Sequence, residues 1–411
     1  MSERLNHQCE KSGESMSNFV LLSTYYLSIP SANGICARNI ANQLRQMGHK
    51  VFVVCYDDHQ SVNNDSGEFF YTIPKKPSEQ AHSIVQKIAR TAKVAIGSVE
   101  PILDETLTNN YYKAICAISS KYPIDGIIAM YFPFESVEAM IRFLNQGSSI
   151  KSFIVELDSV GDGVSNSKLL GIYDRAYERW LRKVYSTVTA TIIMKSHEEY
   201  WKKLFYNSFS NKLLLSDIPV LTPKEFTYVP SERVSMIYSG IIDKRYRSPE
   251  YLLDSLKKLS TVIPFSFDFY SKGDCEDDIL KAKSSINGIN QHGYVEPEVL
   301  EAALEKADFL VNIGNAMSRS VPSKLITYIS YGKPIIHFAS QNNDVCIDYL
   351  KRYPNALIIY QSNPLEMSVE QMIAFMRKNK GKSIPYEQLE KEFYMNDPKF
   401  SADLICRQLG Q

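Results

Sequence analysis

The residues best suited to chemistry lie in the C-terminal half, where residues 314–324 have the sequence Gly-Asn-Ala-Met-Ser-Arg-Ser-Val-Pro-Ser-Lys. A strand-like segment precedes this stretch and a helix-like segment follows it. The free N–H groups and dipole of the helix N-terminus, the Ser323 hydroxyl and the Lys324 ammonium would then face one point, an arrangement that attracts phosphate. The alternative is a well-capped helix with a solvated lysine.

A second basic loop in the same half supports an anion site. Residues 243–247, Asp-Lys-Arg-Tyr-Arg, follow another predicted strand. Because open α/β sheets bind ligands at the carboxyl ends of their strands, we expect Arg247, with Lys244 or Arg245 as rivals, to meet the same phosphates as Lys324. The alternative is a solvated turn. The sequence has neither a G-x-x-x-x-G-K-[ST] nor a G-x-G-x-x-G motif, which argues against a phosphate-loop ATPase and a standard NAD enzyme.

Strand-like and helix-like segments alternate along both halves and must position these residues. In the first half, apolar runs predict strands and 3- to 4-residue apolar spacing predicts helices. The strands are at residues 18–23, 51–55, 126–131, 152–157 and 190–194, and the clearest helices at 35–47, 136–144 and 172–185. In the second half the strands are at residues 235–240, 265–270, 308–314 and 334–338, and the helices follow Pro249 and span 277–284, 297–306 and 322–331. The pattern predicts an α/β protein with two Rossmann-like β/α/β domains.

The sequence divides into five predicted regions. Periodicity is lost over residues 212–230, where Pro219, Pro223 and Pro230 indicate a linker. The end of the chain is polar and helical. We therefore expect a flexible tail at 1–17, an N-terminal domain at 18–215, a linker at 216–232, a C-terminal domain at 233–385 and a helical tail at 386–411 that packs back on the N-terminal domain.

Composition excludes several classes of protein. The 411 residues suffice for two or three domains, and the 46 Lys+Arg residues balance 46 Asp+Glu residues, which argues against broad binding to nucleic acid. The seven cysteines are scattered without C-x-x-C spacing, so we expect no disulfide framework and a reducing cytoplasm. No long apolar run predicts a membrane span or a signal peptide. His49, His292 and His337 have no mutual spacing that indicates a metal site, and we interpret them as structural.

Short segments, taken in order, suggest a family. In the second half they are residues 238–240 (Tyr-Ser-Gly), 247–249 (Arg-Ser-Pro), 271–273 (Ser-Lys-Gly), 292–295 (His-Gly-Tyr-Val), 307–312 (Ala-Asp-Phe-Leu-Val-Asn), 321–325 (Val-Pro-Ser-Lys-Leu) and 332–336 (Gly-Lys-Pro-Ile-Ile). This series resembles the donor domain of glycosyltransferases with the two-domain GT-B fold, and most of all the retaining, family-four-like group that builds bacterial capsular and other surface polysaccharides. Residues 23–34, 46–51 and 195–196 resemble that group's acceptor domain.

The resemblance implies transfer of a sugar from a nucleotide diphosphate sugar to a hydroxyl of a saccharide or lipid-linked saccharide, with the two domains facing each other across a cleft. It implies no cofactor and no metal, because basic side chains and a helix N-terminus neutralise the diphosphate. A UDP-sugar is favoured over a GDP-sugar as donor. The enzyme would be a cytoplasmic monomer or homodimer, at the inner face of the membrane if its acceptor is lipid-linked, and would not bind nucleic acid.

The resemblance also implies roles for individual residues. Arg247 and Lys324 would clamp the leaving group, and Asp158, at a strand end, would orient the acceptor or act as a base, the alternative being a loop cap. Tyr131 would stack on a sugar, the alternative being core packing. The expected acceptor-binding residues are Asn33, Gly34 and Tyr131. The expected donor-binding residues are Gly240, Lys244, Arg245, Lys272, Tyr294, Val295, Val321, Pro322, Ser323 and Thr327.

Two positions depart from the family pattern. Thr327 stands where the family has a Glu that holds the ribose hydroxyls, and Arg319 stands where it has a partner Glu. A Thr hydroxyl makes one hydrogen bond, whereas a carboxylate grips a diol with two charge-assisted bonds. A catalytically silent glycosyltransferase-like partner subunit is therefore an alternative function, and a sugar-nucleotide epimerase of the same fold is a third.

Overall fold

The computed structural model describes residues 16–26, 31–56, 69–73, 103–158, 170–315 and 321–410. Arg319 and most of the predicted N-terminal tail lie outside the described residues. Within them, the chain forms two α/β domains, each built on a parallel sheet. This arrangement confirms the predicted fold class.

The N-terminal domain contains a parallel sheet of seven described strands in the order β3-β2-β1-β4-β5-β6-β7. The strands are β1 Asn18–Leu22, β2 Lys50–Tyr56, β3 Phe69–Ile73, β4 Gly126–Met130, β5 Lys151–Glu156, β6 Ala190–Met194 and β7 Leu213–Ser216. The helices are α1 Ala32–Gln46, α2 Glu105–Ser119, α3 Phe134–Leu144, α4 Leu170–Thr187 and α5 Glu198–Phe209. Both faces of the central strands are buried, which explains their continuous apolar runs.

The C-terminal domain contains a parallel sheet of six described strands in the order β10-β9-β8-β11-β12-β13. The strands are β8 Val234–Ile242, β9 Phe265–Gly273, β10 Ile289–Gln291, β11 Phe309–Ile313, β12 Ile335–Ala339 and β13 Ala356–Tyr360. The helices are α6 Glu250–Leu259, α7 Glu276–Ser285, α8 Pro297–Lys306, α9 Ser323–Ser330, α10 Cys346–Arg352 and α11 Leu365–Asn379. The chain moves from β8 towards one edge and then resumes at β11 on the other side, so the direction of winding switches between β8 and β11.

The last two helices connect the domains. They are α12 Tyr386–Glu392 and α13 Pro398–Arg407. Helix α12 contacts α9, and α13 packs along α1, where Sγ of Cys406 lies 3.3 Å from Nε2 of His49. A continuous apolar cluster therefore includes Phe19 of the N-terminal sheet and Leu310 of the C-terminal sheet. In the described part of the chain, no helix combines the length and apolar character that a bilayer crossing requires.

The structure differs from the sequence predictions at several elements. Helix α1 begins at Ala32, so Asn33 and Gly34 lie in its first turn and not in the loop before it. The prediction was wrong because Ser31 caps the helix, accepting a hydrogen bond from the Gly34 N–H at 3.0 Å, and the apolar spacing begins only later. Strand β7 lies within residues 212–230, where periodicity seemed lost. Strands β3, β10 and β13 were not predicted.

Candidate active site

A cleft of about 520 Å³ lies near the carboxyl ends of β8, β9 and β10, within the usual size range for small-molecule sites. Its walls include the start of α9 and one face of α8, and Ile35 of α1 contributes from the N-terminal domain. The cleft therefore lies beside the switch between β8 and β11, the place where open α/β sheets bind ligands. A smaller cavity of about 310 Å³ is lined in part by Arg233 and Phe265, at the amino ends of β8 and β9, the opposite edge of the sheet.

The cleft gathers most of the predicted donor-binding residues from segments far apart in the sequence. Those that line it are Gly240, Lys272, Tyr294, Val295, Ser323 and Thr327, whereas Lys244, Arg245, Val321 and Pro322 do not. The predicted clamp residue Lys324 lines the cleft as well. Three segments that follow three neighbouring strands thus meet the N-terminal turns of α9, as expected for a parallel sheet.

Lys324 is held at the base of the cleft by contacts with β8. Its Nζ donates a hydrogen bond to the Ser239 carbonyl at 3.2 Å and lies 3.8 Å from the centroid of the Tyr238 ring. Gly240 has φ +124°, a backbone conformation that favours glycine, and it lies against the Lys324 side chain, since a Cβ there would lie 3.4 Å from Nζ. Burial, together with the charge of Arg247, lowers the pKa of Lys324 well below its usual value. A negatively charged ligand would reverse this shift.

Arg247 lies on a tight turn that directs it towards Lys324. Asp243 shapes the turn, since its Oδ1 accepts the N–H groups of Arg245 and Tyr246, each at 2.9 Å, and its carbonyl accepts the Arg247 N–H at 2.7 Å. The Nε atom of Arg247 is buried and has no hydrogen-bond acceptor among the described residues. Within the same residues, no carboxylate pairs with Arg247 or Lys324.

The two rivals of Arg247 face elsewhere. Lys244 lies 3.3 Å from the Asp278 carboxylate, with 59% of its side chain exposed, and Arg245 lies over the ring of its neighbour Tyr246. Like Arg247, neither is among the residues that line the cleft. Arg247 is favoured as the second cation of the site because its charge contributes to the lowered pKa of Lys324 and its buried Nε has no acceptor among the described residues.

The N-terminus of α9 supplies fewer backbone donors than the sequence implied. Pro322 has no N–H, and the Val321 side chain is buried in the core. No side chain caps the helix at Pro322 in the described part of the chain. Ser323 and Lys324 thus offer the N–H groups closest to the cleft.

Thr327 and Tyr328 occupy the next turn of α9. The Thr327 hydroxyl donates to the Ser323 carbonyl at 3.3 Å, which leaves its lone pairs as hydrogen-bond acceptors facing the cleft. The buried Tyr328 hydroxyl lies 2.8 Å from the Ser239 N–H and 2.9 Å from the Ser239 hydroxyl. Tyr328 therefore fixes α9 against β8, a role that the sequence analysis did not predict.

Aromatic residues form the rim of the cleft. The Lys272 ammonium lies 4.1 Å from the centroid of the Tyr294 ring, a cation–π pair open to solvent. The Tyr270 ring stacks on His292 at 4.4 Å, and His292 Nε2 lies 2.7 Å from Asp268. These contacts give His292 a structural role, as expected.

Helix α8 forms a wall that sequence reasoning missed. Pro297, Leu300, Glu301 and Leu304 line the cleft with the spacing of one helix face. The carboxylate of Glu301 lies 2.8 Å from the Lys224 ammonium. Apolar residues at this spacing usually indicate core packing, so no sequence signal identified the wall.

Lys333 fixes the C-terminal end of α8. Its buried ammonium donates to the carbonyls of Leu304 at 2.9 Å, Ala307 at 2.7 Å and Glu305. Burial lowers the pKa of Lys333 to about 8, so the ammonium is mostly protonated at neutral pH. A cation there also opposes the negative end of the helix dipole. Lys333 is therefore a positioning residue for the α8 wall.

The predicted acceptor-side residues do not line this cleft. Gly34 packs against the segment that follows β1, since a Cβ there would lie 1.9 Å from the Tyr25 carbonyl oxygen. Tyr131 is 3% exposed and its ring lies 4.9 Å from that of Phe134, as in the core-packing alternative. Asp158 follows β5, and its charge, after burial, raises the pKa of Cys36 on α1. The acceptor roles of Asn33, Gly34, Tyr131 and Asp158 remain predictions, and the loop after Asp158 lies outside the described residues.

The chain is similar to known proteins in structure but not in sequence. The sequence matches no protein-family model and no curated protein sequence. Three solved structures are similar over almost their whole lengths. A sucrose-phosphate synthase from Thermosynechococcus elongatus is 12% identical with a TM-score of 0.61, covering 96% of this chain and 98% of that one. A glycosyltransferase from Rickettsia africae is 13% identical with a TM-score of 0.61, covering 95% and 96%. The catalytic domain of starch synthase IV from Arabidopsis thaliana, bound to ADP and acarbose, is 8% identical with a TM-score of 0.60, covering 96% and 100%.

These structural neighbours are glycosyltransferases with the GT-B fold. At such low identities the similarity concerns the architecture. The chain accordingly has the GT-B fold, with two parallel-sheet domains and a cleft to which both contribute.

Proposed function

We propose that this chain is a glycosyltransferase that moves a sugar from a nucleotide diphosphate sugar to a hydroxyl of a saccharide or lipid-linked acceptor. The observation that carries the proposal is the pair of cations at the switch point. Burial and the charge of Arg247 lower the pKa of Lys324, and neither Lys324 nor Arg247 pairs with a carboxylate among the described residues. A diphosphate placed between them relieves that repulsion.

In the proposed reaction, the two cations bind the diphosphate and stabilise the charge that develops as the bond from the sugar to the leaving phosphate breaks. Ser323 adds a backbone N–H and a hydroxyl at the start of α9. Groups aimed at developing charge typically contribute a few kcal/mol each to transition-state stabilisation. Because these groups neutralise the diphosphate, we propose a metal-independent transfer, with Asp158 orienting the acceptor hydroxyl.

The finer features of the proposal come from the resemblance of the sequence motifs. They are retention of the anomeric configuration, a hexose as the transferred sugar, a UDP-sugar as donor and a role in bacterial surface polysaccharide assembly. On the same basis we propose a cytoplasmic location, at the inner face of the membrane for a lipid-linked acceptor. Retention fits a reaction on one face of the donor, with the leaving phosphate accepting the acceptor's proton.

A silent partner subunit is the second candidate, favoured by one observation. Position 327 carries a hydroxyl already bonded to the Ser323 carbonyl, in place of a carboxylate. Thr327 would therefore bind the ribose hydroxyls of a nucleotide less strongly than a carboxylate would. Measured donor affinity separates the two candidates.

The test is calorimetric titration of the purified chain with UDP and GDP in metal-free buffer, using Lys324→Ala, Arg247→Ala and the control Lys244→Ala. Each clamp substitution should weaken UDP binding about 10- to 100-fold, equivalent to about 1.4–2.8 kcal/mol. Lys244→Ala should change the Kd less than about threefold, because the Lys244 ammonium faces Asp278 and not the cleft.

Two results would contradict the proposal. The first is failure of the wild type to bind either nucleotide at millimolar concentration, which would favour the silent subunit. The second is an equal loss of binding in Lys244→Ala and Lys324→Ala, which would assign the effect to general charge. If UDP binds, release of UDP from UDP-hexoses in the presence of saccharide acceptors tests transfer, and the anomeric configuration of the product tests retention.

A further inference from the structure

A second group of polar side chains lies at the carboxyl end of β12 and does not line the cleft. His337 belongs to β12, Cys346 is the first residue of α10, and Asp344 lies two residues before it. All three are buried, with exposures of 0%, 0% and 3% respectively. One nitrogen of His337, one carboxylate oxygen of Asp344 and Sγ of Cys346 lie within 4.8 Å of one another.

Several polar atoms of this group lack hydrogen-bond partners. His337 Nε2 and Asp344 Oδ2 are 3.2 Å apart, yet neither has a hydrogen bond of proper geometry among the described residues. The same holds for the Oδ1 atom of the buried Asn312. Leaving such atoms unsatisfied costs about 1–3 kcal/mol each, so native structures rarely do so. The backbone also makes room for the carboxylate, because a Cβ at Gly314 would lie 1.8 Å from Asp344 Oδ2.

We propose that His337, Asp344 and Cys346 bind a divalent transition-metal ion of the zinc type, through Nε2, a carboxylate oxygen and Sγ. Imidazole, carboxylate and thiolate are the ligands that zinc takes in proteins. The three residues do not line the cleft, although Cys346 is near enough to Lys324 for their charges to influence each other. The inference does not rest on the proposed glycosyltransferase activity.

Distances and charge agree with this assignment. Bonds of about 2.0 Å to nitrogen and oxygen and about 2.3 Å to sulfur place tetrahedral ligands roughly 3.3–3.8 Å apart. The distance of 3.2 Å between His337 Nε2 and Asp344 Oδ2 is close to that value. A thiolate, a carboxylate and a neutral imidazole together balance a charge of +2, so these three ligands and the ion are neutral overall. Because the thiolate is the form that binds the metal, the Sγ proton passes to solvent when the ion binds.

Asn312 provides the supporting contact that a metal-binding histidine requires. Its side-chain amide lies 2.9 Å from His337 Nδ1. For Nε2 to bind the metal, Nδ1 must carry the proton and donate it, and the amide must present its oxygen. Since nitrogen and oxygen of an amide are assigned from their surroundings, turning the Asn312 amide satisfies the unpartnered Oδ1 and Nδ1 together.

The test uses the full chain and needs no assumption about activity. The metal content of protein expressed in zinc-supplemented medium is measured, and the chelator-treated protein is then titrated with Co²⁺. We expect about one equivalent of zinc and, with cobalt, a sulfur-to-metal charge-transfer band together with the visible bands of tetrahedral coordination. Cys346→Ser should abolish the charge-transfer band, whereas Cys275→Ser, which changes another buried cysteine of the same domain, should retain it.

The wild-type titration decides the question even if a variant fails to fold. Absence of both zinc and the charge-transfer band in folded wild-type protein would overturn the proposal and leave a protein-only His337–Asp344 ion pair. Persistence of the band in folded Cys346→Ser would overturn it as well, since the metal would then lie elsewhere. Asn312→Ala, which removes no ligand, should weaken cobalt binding about 10- to 100-fold.

Discussion

Replacing Lys333 with Met should destabilise the C-terminal domain by about 3 kcal/mol. Met keeps the apolar stem but removes the ammonium that donates to the carbonyls of Leu304, Glu305 and Ala307. Three hydrogen bonds from a charged donor stabilise the fold by about 6 kcal/mol at about 2 kcal/mol each. Because the three bonds share one ammonium, their contributions are not additive, and about half of that sum is expected to be lost in the single substitution.

The assay is urea unfolding at pH 7, followed by far-ultraviolet circular dichroism. The matched control is Lys306→Met, an exposed lysine in the last turn of the same helix α8, which should change the free energy of unfolding by less than about 0.5 kcal/mol. Because α8 lines the cleft, Lys333→Met should also weaken UDP binding. A loss below about 1 kcal/mol, or one equal to that of the control, would refute the claim that Lys333 caps α8.

Three further predictions concern single substitutions. Burial raises the pKa of Glu156 from 4.5 to about 8, so the folded chain retains a proton that the unfolded chain releases, and stability should fall as pH rises from about 5 to 8. Glu156→Gln should flatten that dependence, as measured by urea unfolding at pH 5, 6.5 and 8. Gly240→Val should displace the Lys324 ammonium and weaken UDP binding at least about tenfold by calorimetry, equivalent to about 1.4 kcal/mol. Tyr328→Phe should lower the free energy of unfolding by about 1–2 kcal/mol, because the hydroxyl that bonds β8 is lost; an unchanged urea midpoint would contradict this.

The sequence predicted the architecture well because its central strands are buried on both faces. Runs such as those of β1 and β6 are mostly apolar, and the helices between them show clear spacing. The strands that escaped prediction are short or lie at the sheet edges, as β10 and β7 do, where burial is incomplete. The predicted start of α1 was also wrong. The apolar spacing used to predict helices begins only after the first turn, which the Ser31 cap defines instead.

Site residues could be predicted only where they lie at the end of a strand or the start of a helix. Lys324 lies at the start of α9 and lines the cleft, as predicted. Choosing among the three basic residues of the turn after β8 required the fold, because only Arg247 has a buried, unpartnered nitrogen. The α8 wall, the Lys333 cap and the His337 cluster depend on contacts between distant segments, which no spacing in the sequence records.

Hydrogen–deuterium exchange of the chain with and without saturating UDP tests the central claim, that a nucleotide diphosphate binds in the cleft between β8 and α9. We expect slower exchange in peptides covering residues 238–242, 293–304 and 321–331, and clearly reduced protection of these peptides in Lys324→Ala at the same UDP concentration. Protection confined to the strands of the N-terminal sheet, or to the edge of the C-terminal sheet near Arg233, would contradict the account.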